Sequence, residues 1–177
     1  MQEYKIIFAG SMGAGKTTAV QTLSDVGVIT SDVANSDLNA HSKLLTTVGI
    51  DYGQIVLPPD NKVGLYGTPG QERFEIVWRI VTNGALGVII LIDCTSAKAP
   101  EELRYYTQYF HKHQLKHIVI GITHNDMPES KLNRELALKI LAEEHFNYPV
   151  FEIDARLRDN LLLLVETLIA SIEAEIN

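Results

Sequence analysis

Residues 10–17 read GSMGAGKT and match the pattern G-x-x-x-x-G-K-[ST]. The apolar run 4–9 (YKIIFA) comes directly before them and is typical of a strand, and residues 16–26 follow with a helical pattern. A glycine-rich turn between a strand and a helix can point its backbone N–H groups at phosphate oxygens, with help from the helix dipole. The sequence therefore predicts a phosphate-binding loop at this turn.

Two side chains of this loop have predicted chemical roles. Lys16 can reach the β- and γ-phosphates of a nucleotide, and the hydroxyl of Thr17 can ligate Mg²⁺. The loop alone is compatible with kinases, ATPases and GTPases, so later segments must distinguish them. The predicted phosphate contacts are Gly10, Ser11, Met12, Gly13, Ala14, Gly15, Lys16, Thr17 and Thr18.

Short apolar runs alternate with helical patterns along the rest of the chain. Further strands are predicted at residues 50–57, 62–66, 86–93, 118–122 and 150–153, and helices at 101–113, 132–145 and 159–176. The first two of these strands flank a Pro-Pro-Asp-Asn turn, which indicates a hairpin, and residues 27–46 read as a long loop. The alternation predicts one α/β domain over residues 1–177. Its sheet would be six-stranded and mainly parallel, with one antiparallel edge strand and helices on both faces.

Composition limits the classes of partner. The 177 residues carry 15 Lys and Arg against 22 Asp and Glu, a net charge of −7 with no basic run. That balance argues against binding to nucleic acid or to an anionic membrane surface. A single cysteine, Cys94, fits a reducing compartment, and no apolar run is long enough for a transmembrane span. Because neither end shows a signal-peptide or lipidation pattern, we expect a cytoplasmic protein without an intrinsic membrane anchor. We also expect it to be a monomer.

Four segments beyond the loop resemble motifs of the Ras and Rab small GTPases. Residues 46–52 (TTVGIDY) resemble the end of switch I, and residues 67–74 (GTPGQERF) resemble the start of switch II, D-T-A-G-Q-E-R-F. Residues 123–126 (THND) resemble the base-reading N-K-x-D motif, and residues 154–156 (DAR) resemble S-A-K. The resemblance spans residues 4–165 and implies a Ras-like P-loop fold that binds GTP, GDP and Mg²⁺. The TPGQ in switch II resembles a subgroup of bacterial GTPases, relatives of the gliding-motility polarity switches that work with roadblock/LC7-type partners.

The resemblance also implies roles around the terminal phosphate. Thr47, with Thr46 as the alternative, would ligate Mg²⁺ only while a γ-phosphate is present. The backbone N–H of Gly70 would contact that phosphate, and Gln71 would orient the attacking water. The expected catalytic residues are Lys16, Gly70 and Gln71, and the expected metal ligands are Thr17 and Thr47.

Base recognition, by the same resemblance, falls on the two later motifs. The carboxylate of Asp126 would accept hydrogen bonds from the guanine N1–H and N2–H₂ groups, a donor pair that adenine lacks. His124 stands where the family has a lysine and could stack on the base, while Thr123 replaces an asparagine. The backbone N–H of Ala155 would meet guanine O6, with Arg156 beside it in place of a lysine.

Position 67 departs most from the family. The aspartate expected there supports a Mg²⁺ water, which Gly67 cannot do, so either the metal is held without it or Asp51 or Asp93 substitutes. A structural role is the default for both aspartates, and we expect Mg²⁺ to contribute less to nucleotide affinity than in Ras. No arginine lies between Lys16 and Arg73, so switch I provides no built-in arginine finger. Intrinsic hydrolysis should then be slow, about 10⁻⁴ to 10⁻³ per second, and an activating protein would supply the missing charge.

Two other functions stay open. A P-loop kinase for a small metabolite would need an arginine-rich lid, which the sequence does not show, and would leave the segment GQERF unexplained. A nucleotide-binding scaffold without hydrolysis would fit the loss of the aspartate at position 67. The preferred interpretation is a GTP-binding switch that hydrolyses GTP slowly and signals through switch I and switch II to regulatory proteins and effectors.

Overall fold

The computed structural model describes residues 4–30, 49–70 and 75–176, and its elements follow the predicted alternation. The strands are β1 (Tyr4–Ala9), β2 (Asp51–Leu57), β3 (Asn61–Gly67), β4 (Gly87–Asp93), β5 (Ile118–Thr123) and β6 (Val150–Glu152). The helices of the described residues are α1 (Lys16–Leu23), α2 (Glu75–Thr82), α3 (Ala99–Lys112), α4 (Arg134–Glu143) and α5 (Arg158–Ile176). None of these described helices has the length and apolarity needed to cross a membrane.

One six-stranded sheet organises these elements in the order β2-β3-β1-β4-β5-β6. β2 and β3 pair antiparallel through the predicted hairpin. The other neighbours, from β3–β1 to β5–β6, all pair in parallel. The predicted α/β fold with a mainly parallel sheet and one antiparallel edge strand is confirmed. Parallel pairing brings the carboxyl ends of β1, β3, β4 and β5 to one edge of the sheet, and the loops that follow them meet there.

Helices cover both faces because the central strands are apolar on both sides. On β4, Val88, Ile90 and Ile92 face one core, while Ile89 and Leu91 face the other. Helices α2, α3 and α4 cover the first core, and α1 and α5 cover the second. This arrangement is the one expected for parallel strands that lack polar alternation.

Helix α2 has no counterpart among the sequence predictions. Its Trp78 is fully buried and packs against the rings of Tyr106, Tyr109 and Phe110 on α3, with ring centroids 5.3, 5.1 and 6.0 Å away. The indole Nε1 of Trp78 donates to the carbonyl oxygen of Pro69 at 2.9 Å. Trp78 is therefore a core residue that also ties the segment before α2 to the helix layer.

Helix α1 ends three residues earlier than predicted because the chain turns to run beside β2. The backbone N–H of Asp25 donates to Gln54 O at 2.7 Å, and Ile29 forms an isolated antiparallel bridge with Tyr52. The start of the predicted loop 27–46 therefore lies against the edge strand. Residues 31–48 lie outside the described part of the chain.

Candidate nucleotide site

The glycine-rich turn follows β1 and opens α1, as the sequence predicts. Gly10 and Gly15 adopt φ angles of 137° and 96°, a region that favours glycine. A Cβ at Gly10 would lie 2.0 Å from the carbonyl oxygen of Leu91 on β4, so a side chain cannot be accommodated where the chain leaves the sheet. Gly15 is the N-cap residue of α1, and no side chain caps that end of the helix. The backbone N–H groups at the helix start are thus available for an anionic ligand.

The Lys16 side chain reaches across the loop. Its Nζ donates to the carbonyl oxygen of Ser11 at 2.6 Å, and the residue is buried. Burial lowers the pKa of Lys16 to about 8, while the carboxylates of Asp51 and Glu102 act in the opposite direction. A phosphate beside Nζ would restore the stabilisation that burial removes from the ammonium form.

The carboxylate of Asp51 lies beside Thr17 and opposite Gly67, the position where the resemblance expects an aspartate. Its Oδ2 accepts a hydrogen bond of 2.5 Å from the hydroxyl of Thr17, and its side chain is buried. Asp51 pairs directly with Gly67 in the β2–β3 ladder, and a Cβ at Gly67 would lie 3.1 Å from Asp51 Oδ2. A hydroxyl and a carboxylate are the hard oxygen donors that Mg²⁺ prefers, so this pair fits the metal that the fold family implies.

Asp93, the other candidate aspartate, has a different environment. Its Oδ1 accepts hydrogen bonds from the backbone N–H and the hydroxyl of Thr95, at 2.8 and 2.7 Å. The same oxygen lies 3.5 Å from Nδ1 of His124. These contacts organise the turn after β4 and agree with a structural role.

The segment from Gly67 to Gly70 packs directly on the phosphate loop. The backbone N–H and the hydroxyl of Thr68 both donate to Phe8 O on β1, at 2.9 and 3.2 Å. A Cβ at Gly70 would lie 2.4 Å from the backbone nitrogen of Met12 and 2.9 Å from Lys16 Nζ. Position 70 must therefore be glycine for this segment to approach the loop so closely.

Two residues at the end of β5 hold the base-side loops together. The hydroxyl of Thr123 donates to Ala14 O at 3.0 Å and to Ile92 O at 3.2 Å, which ties β5 to the phosphate loop. The amide Nδ2 of Asn125 donates to Ile122 O at 2.7 Å and to Ile153 O at 3.4 Å. Thr123 keeps a hydrogen-bonding role where the family has asparagine, and Asn125 is a structural contributor that the sequence reasoning missed.

Arg156 joins the two acidic groups of the base-side motifs. Its Nη2 donates to Asp126 Oδ2 at 2.9 Å and to Asp154 Oδ2 at 2.6 Å. Hydrogen bonds from Arg156 lower the pKa of Asp154 to about 2. The carboxylate of Asp126, predicted to read the base, therefore has an arginine as its partner within the chain.

A cavity of about 210 Å³ connects the phosphate loop with the base-side motifs. At the loop end, a Cβ on Gly15 would lie 3.2 Å from the Cβ of Ala155, so the two segments are in close contact. The lining includes seven of the residues predicted to bind nucleotide. They are Gly15, Thr18, Thr123, His124, Asp126, Ala155 and Arg156.

The remaining predicted site residues divide into two groups. Met12 is in the loop but exposes 77% of its surface, with its backbone nitrogen beside Gly70. Thr46, Thr47 and Gln71 lie outside the described residues, so the predicted ligand of switch I and the predicted water-orienting glutamine stay predictions.

A strand–loop–helix phosphate site at the carboxyl edge of a parallel sheet defines a nucleotide-binding α/β protein. Comparison with known proteins gives the family: the Ras family model matches residues 5–174. The chain belongs to the Ras family and is a small GTPase by descent.

Several relatives of this chain are Rab proteins, with sequence identities of 24 to 27%. It is 24% identical to the Ras-related protein Rab-8A of Gallus gallus over 180 residues, which cover 98% of this chain and 80% of that protein. It is 27% identical to Rab-27A of Sus scrofa over 181 residues, 93% of this chain and 76% of that protein. It is also 27% identical to Rab-10 of Caenorhabditis elegans over 148 residues, which cover 80% of this chain and 67% of that protein.

Proposed function

We propose that this protein is a GTP-binding switch that hydrolyses GTP slowly. The observation that carries the proposal is that Gly15 of the phosphate loop and Asp126 of the base-side motif line the same cavity. A nucleotide placed there would have its phosphates at the loop and its base at the carboxylate. The membership of the Ras family supports the same reading.

Guanine selection would rest on Asp126. Its carboxylate accepts hydrogen bonds, so it suits the N1–H and N2–H₂ groups of guanine and meets no such donor pair on adenine. Guanine would take over at least part of the contact that Asp126 makes with Arg156, whose side chain is 64% exposed. Arg156 would retain its other partner, Asp154.

The phosphate end would be held by Lys16, the loop N–H groups and a metal ion. Thr17 and Thr47 would hold Mg²⁺, and the Asp51 carboxylate, which accepts the Thr17 hydrogen bond, would add negative charge beside the metal. Bound there, Mg²⁺ would neutralise charge on the β- and γ-phosphate oxygens. Lys16 would bind the same oxygens, and the Gly70 N–H would donate to the terminal phosphate.

Hydrolysis would be slow in the isolated protein and faster with a partner. Gln71 would orient the attacking water, and no arginine precedes Arg73 after the phosphate loop in the sequence. An activating protein would supply the missing positive charge. We further propose a bacterial origin in the TPGQ subgroup, a roadblock/LC7-type regulator, and a cytoplasmic monomer, on the basis of the resemblance and the single cysteine.

Replacing Gln71 with leucine should reduce single-turnover GTP hydrolysis at least about tenfold, because leucine cannot orient the water. Nucleotide affinity should change little, which a fluorescent-GDP titration checks. If the unmodified protein shows no turnover above buffer, even with candidate regulators, the non-hydrolysing scaffold replaces the switch.

Competition between GDP and ADP for fluorescent GDP, with Mg²⁺ present, tests the base assignment. GDP should compete at least about 100-fold better, or about 2.7 kcal/mol. Asp126→Asn should remove most of the preference for GDP over ADP. The amide N–H₂ of asparagine would face the N1–H and N2–H₂ donors of guanine, and two donors cannot form a hydrogen bond with each other. Asp159→Asn, an exposed aspartate on α5, is the matched control and should behave like the unmodified protein. Equal competition by GDP and ADP in the unmodified protein would instead favour the metabolite kinase.

A further inference from the structure

Glu102, on the first turn of α3, joins that helix to the phosphate loop. Its Oε2 accepts a 2.7 Å hydrogen bond from the hydroxyl of Ser11, 91 residues earlier in the chain. Its Oε1 accepts a 3.2 Å hydrogen bond from the hydroxyl of Ser96. Both oxygens thus have a hydroxyl donor, which fixes the carboxylate in place.

Ser11 is also where the groups expected around the terminal phosphate converge. Its carbonyl oxygen accepts the hydrogen bond from Lys16 Nζ at 2.6 Å. A Cβ at Gly70 would lie 2.6 Å from the carbonyl carbon of the same residue. Ser11 therefore contacts Glu102 on one side and, on the other, Lys16 and Gly70, the two residues that would contact a γ-phosphate.

The neighbourhood of Glu102 is partly enclosed, which limits screening by water. A cavity of about 270 Å³ lies between the loop, Gly70 and α3, with Tyr105 and Tyr106 in its wall. Glu102 itself is half-buried, whereas the adjacent Glu101 is exposed. Charges near such a boundary interact more strongly than charges in open water.

We propose that Glu102 is a specificity-determining residue that disfavours the terminal phosphate and so biases the site toward the nucleoside diphosphate. The inference rests on the proposed function. A γ-phosphate adds negative charge on the side of Lys16 and Gly70 that faces Ser11, where it meets the fixed carboxylate. The α- and β-phosphates lie deeper in the loop, surrounded by backbone N–H groups, so the same carboxylate acts on them less.

The test compares the affinities of GDP and of a GTP analogue whose terminal phosphate cannot be hydrolysed, measured by fluorescent-nucleotide displacement with Mg²⁺. Glu102→Gln removes the charge and keeps the shape and an acceptor for Ser11. The ratio of analogue affinity to GDP affinity should rise about 3- to 10-fold. The affinity for GDP alone should change less than about twofold.

Two control variants separate charge from shape. Glu101→Gln removes a more exposed charge that lines the same cavity but has no hydrogen bond to Ser11 among the contacts described, and it should shift the ratio less than Glu102→Gln does. Ser11→Ala removes the hydrogen bond and keeps the carboxylate, so it should shift the ratio less than Glu102→Gln does. An equal shift in Ser11→Ala would mean that the loop geometry, not the charge, sets the ratio, and it would overturn the proposal.

The outcomes also separate this inference from the function on which it rests. If both nucleotides bind the unmodified protein and Glu102→Gln changes their affinities by the same factor, the proposal is wrong and the GTP switch stands. If neither nucleotide binds the unmodified protein, the switch and the role of Glu102 fail together.

Discussion

Asp51→Asn should weaken Mg²⁺-dependent GDP binding about 10- to 100-fold, the usual effect of losing a residue that orients a metal's ligands. The carboxylate of Asp51 accepts the Thr17 hydrogen bond and fills the space beside Gly67. Asparagine keeps that shape but loses the negative charge. The measurement is the rate of fluorescent-GDP release as free Mg²⁺ is lowered with EDTA. Asp93→Asn, at the same end of the sheet, is the control and should retain the Mg²⁺ response.

A reciprocal exchange sharpens this test. Gly67→Asp alone should be harmful, because the new Cβ would lie 3.1 Å from the Asp51 carboxylate and would bring a second negative charge beside it. The double variant Asp51→Gly/Gly67→Asp moves the carboxylate to the facing position on β3 and should recover much of the Mg²⁺ response. If Asp51→Asn releases GDP as the unmodified protein does at every Mg²⁺ concentration, Asp51 is only structural. The expectation from the sequence, that Mg²⁺ contributes less to nucleotide affinity here than in Ras, would then be supported.

Lys16→Met should have two opposite effects. Removing the ammonium takes away the main cation for the phosphates, an expected loss of about 3 kcal/mol or more, hence at least about 100-fold in GDP affinity. The nucleotide-free protein should nevertheless become more stable at pH 7. The pKa of Lys16 falls from 10.5 to about 8 on folding, so carrying the charge costs the folded state about 3 kcal/mol. Loss of the hydrogen bond to Ser11 offsets about 1 kcal/mol of that gain.

The sign of the pH dependence follows from the same lowered pKa. The unfolded chain keeps the Lys16 proton up to about pH 10.5, whereas the folded protein releases it above about pH 8. The cost of the buried charge is therefore fully present below pH 8 and disappears as the pH rises toward 10.5. In urea unfolding of nucleotide-free protein, the stability gap between Lys16→Met and the unmodified protein should narrow from pH 7 to pH 9.5.

Other groups that titrate at alkaline pH change the stability of both proteins alike. Their contributions therefore cancel when the free energy of unfolding of the unmodified protein is subtracted from that of Lys16→Met. Lys139→Met, at an exposed position on α4, is the matched control and should show no such gap. A Lys16→Met protein that is less stable than the unmodified one at both pH values would contradict the argument.

Much of the fold was predictable because its signals are local. The runs that form β1, β4 and β5 are apolar on both faces, and the glycine-rich turn marks the passage from β1 to α1. Helix α2 was harder, because it is only eight residues long and directly follows the segment interpreted as switch II. Its buried residues, Val77, Trp78 and Val81, do follow helical spacing. The contact of Trp78 with the rings of α3 is not encoded locally, because those rings lie about 30 residues later in the chain.

The candidate site was predictable in residue identity more than in contacts. The motifs pointed to Lys16, Thr17 and Asp126, while Glu102 had no motif and reaches Ser11 across 91 residues of sequence. Asp51 could not be placed from the predicted hairpin, because a turn over residues 58–61 would set residue 51 opposite residue 68. The ladder instead pairs Leu57 with Asn61, which sets residue 51 opposite residue 67. The register of the hairpin therefore places the carboxylate of Asp51 directly opposite Gly67, where the family has its aspartate.

The bond between Trp78 and Pro69 gives this protein a built-in optical reporter. Trp78 is the one tryptophan in the chain, so all indole emission comes from a single ring. That ring donates its N–H to a carbonyl one residue before Gly70, while its faces and edges contact the tyrosines of α3. A rearrangement of residues 67–70 that breaks this hydrogen bond would change the polarity at the indole nitrogen. We therefore expect the indole emission to report the position of this segment in unlabelled protein, with no dye attached to its surface.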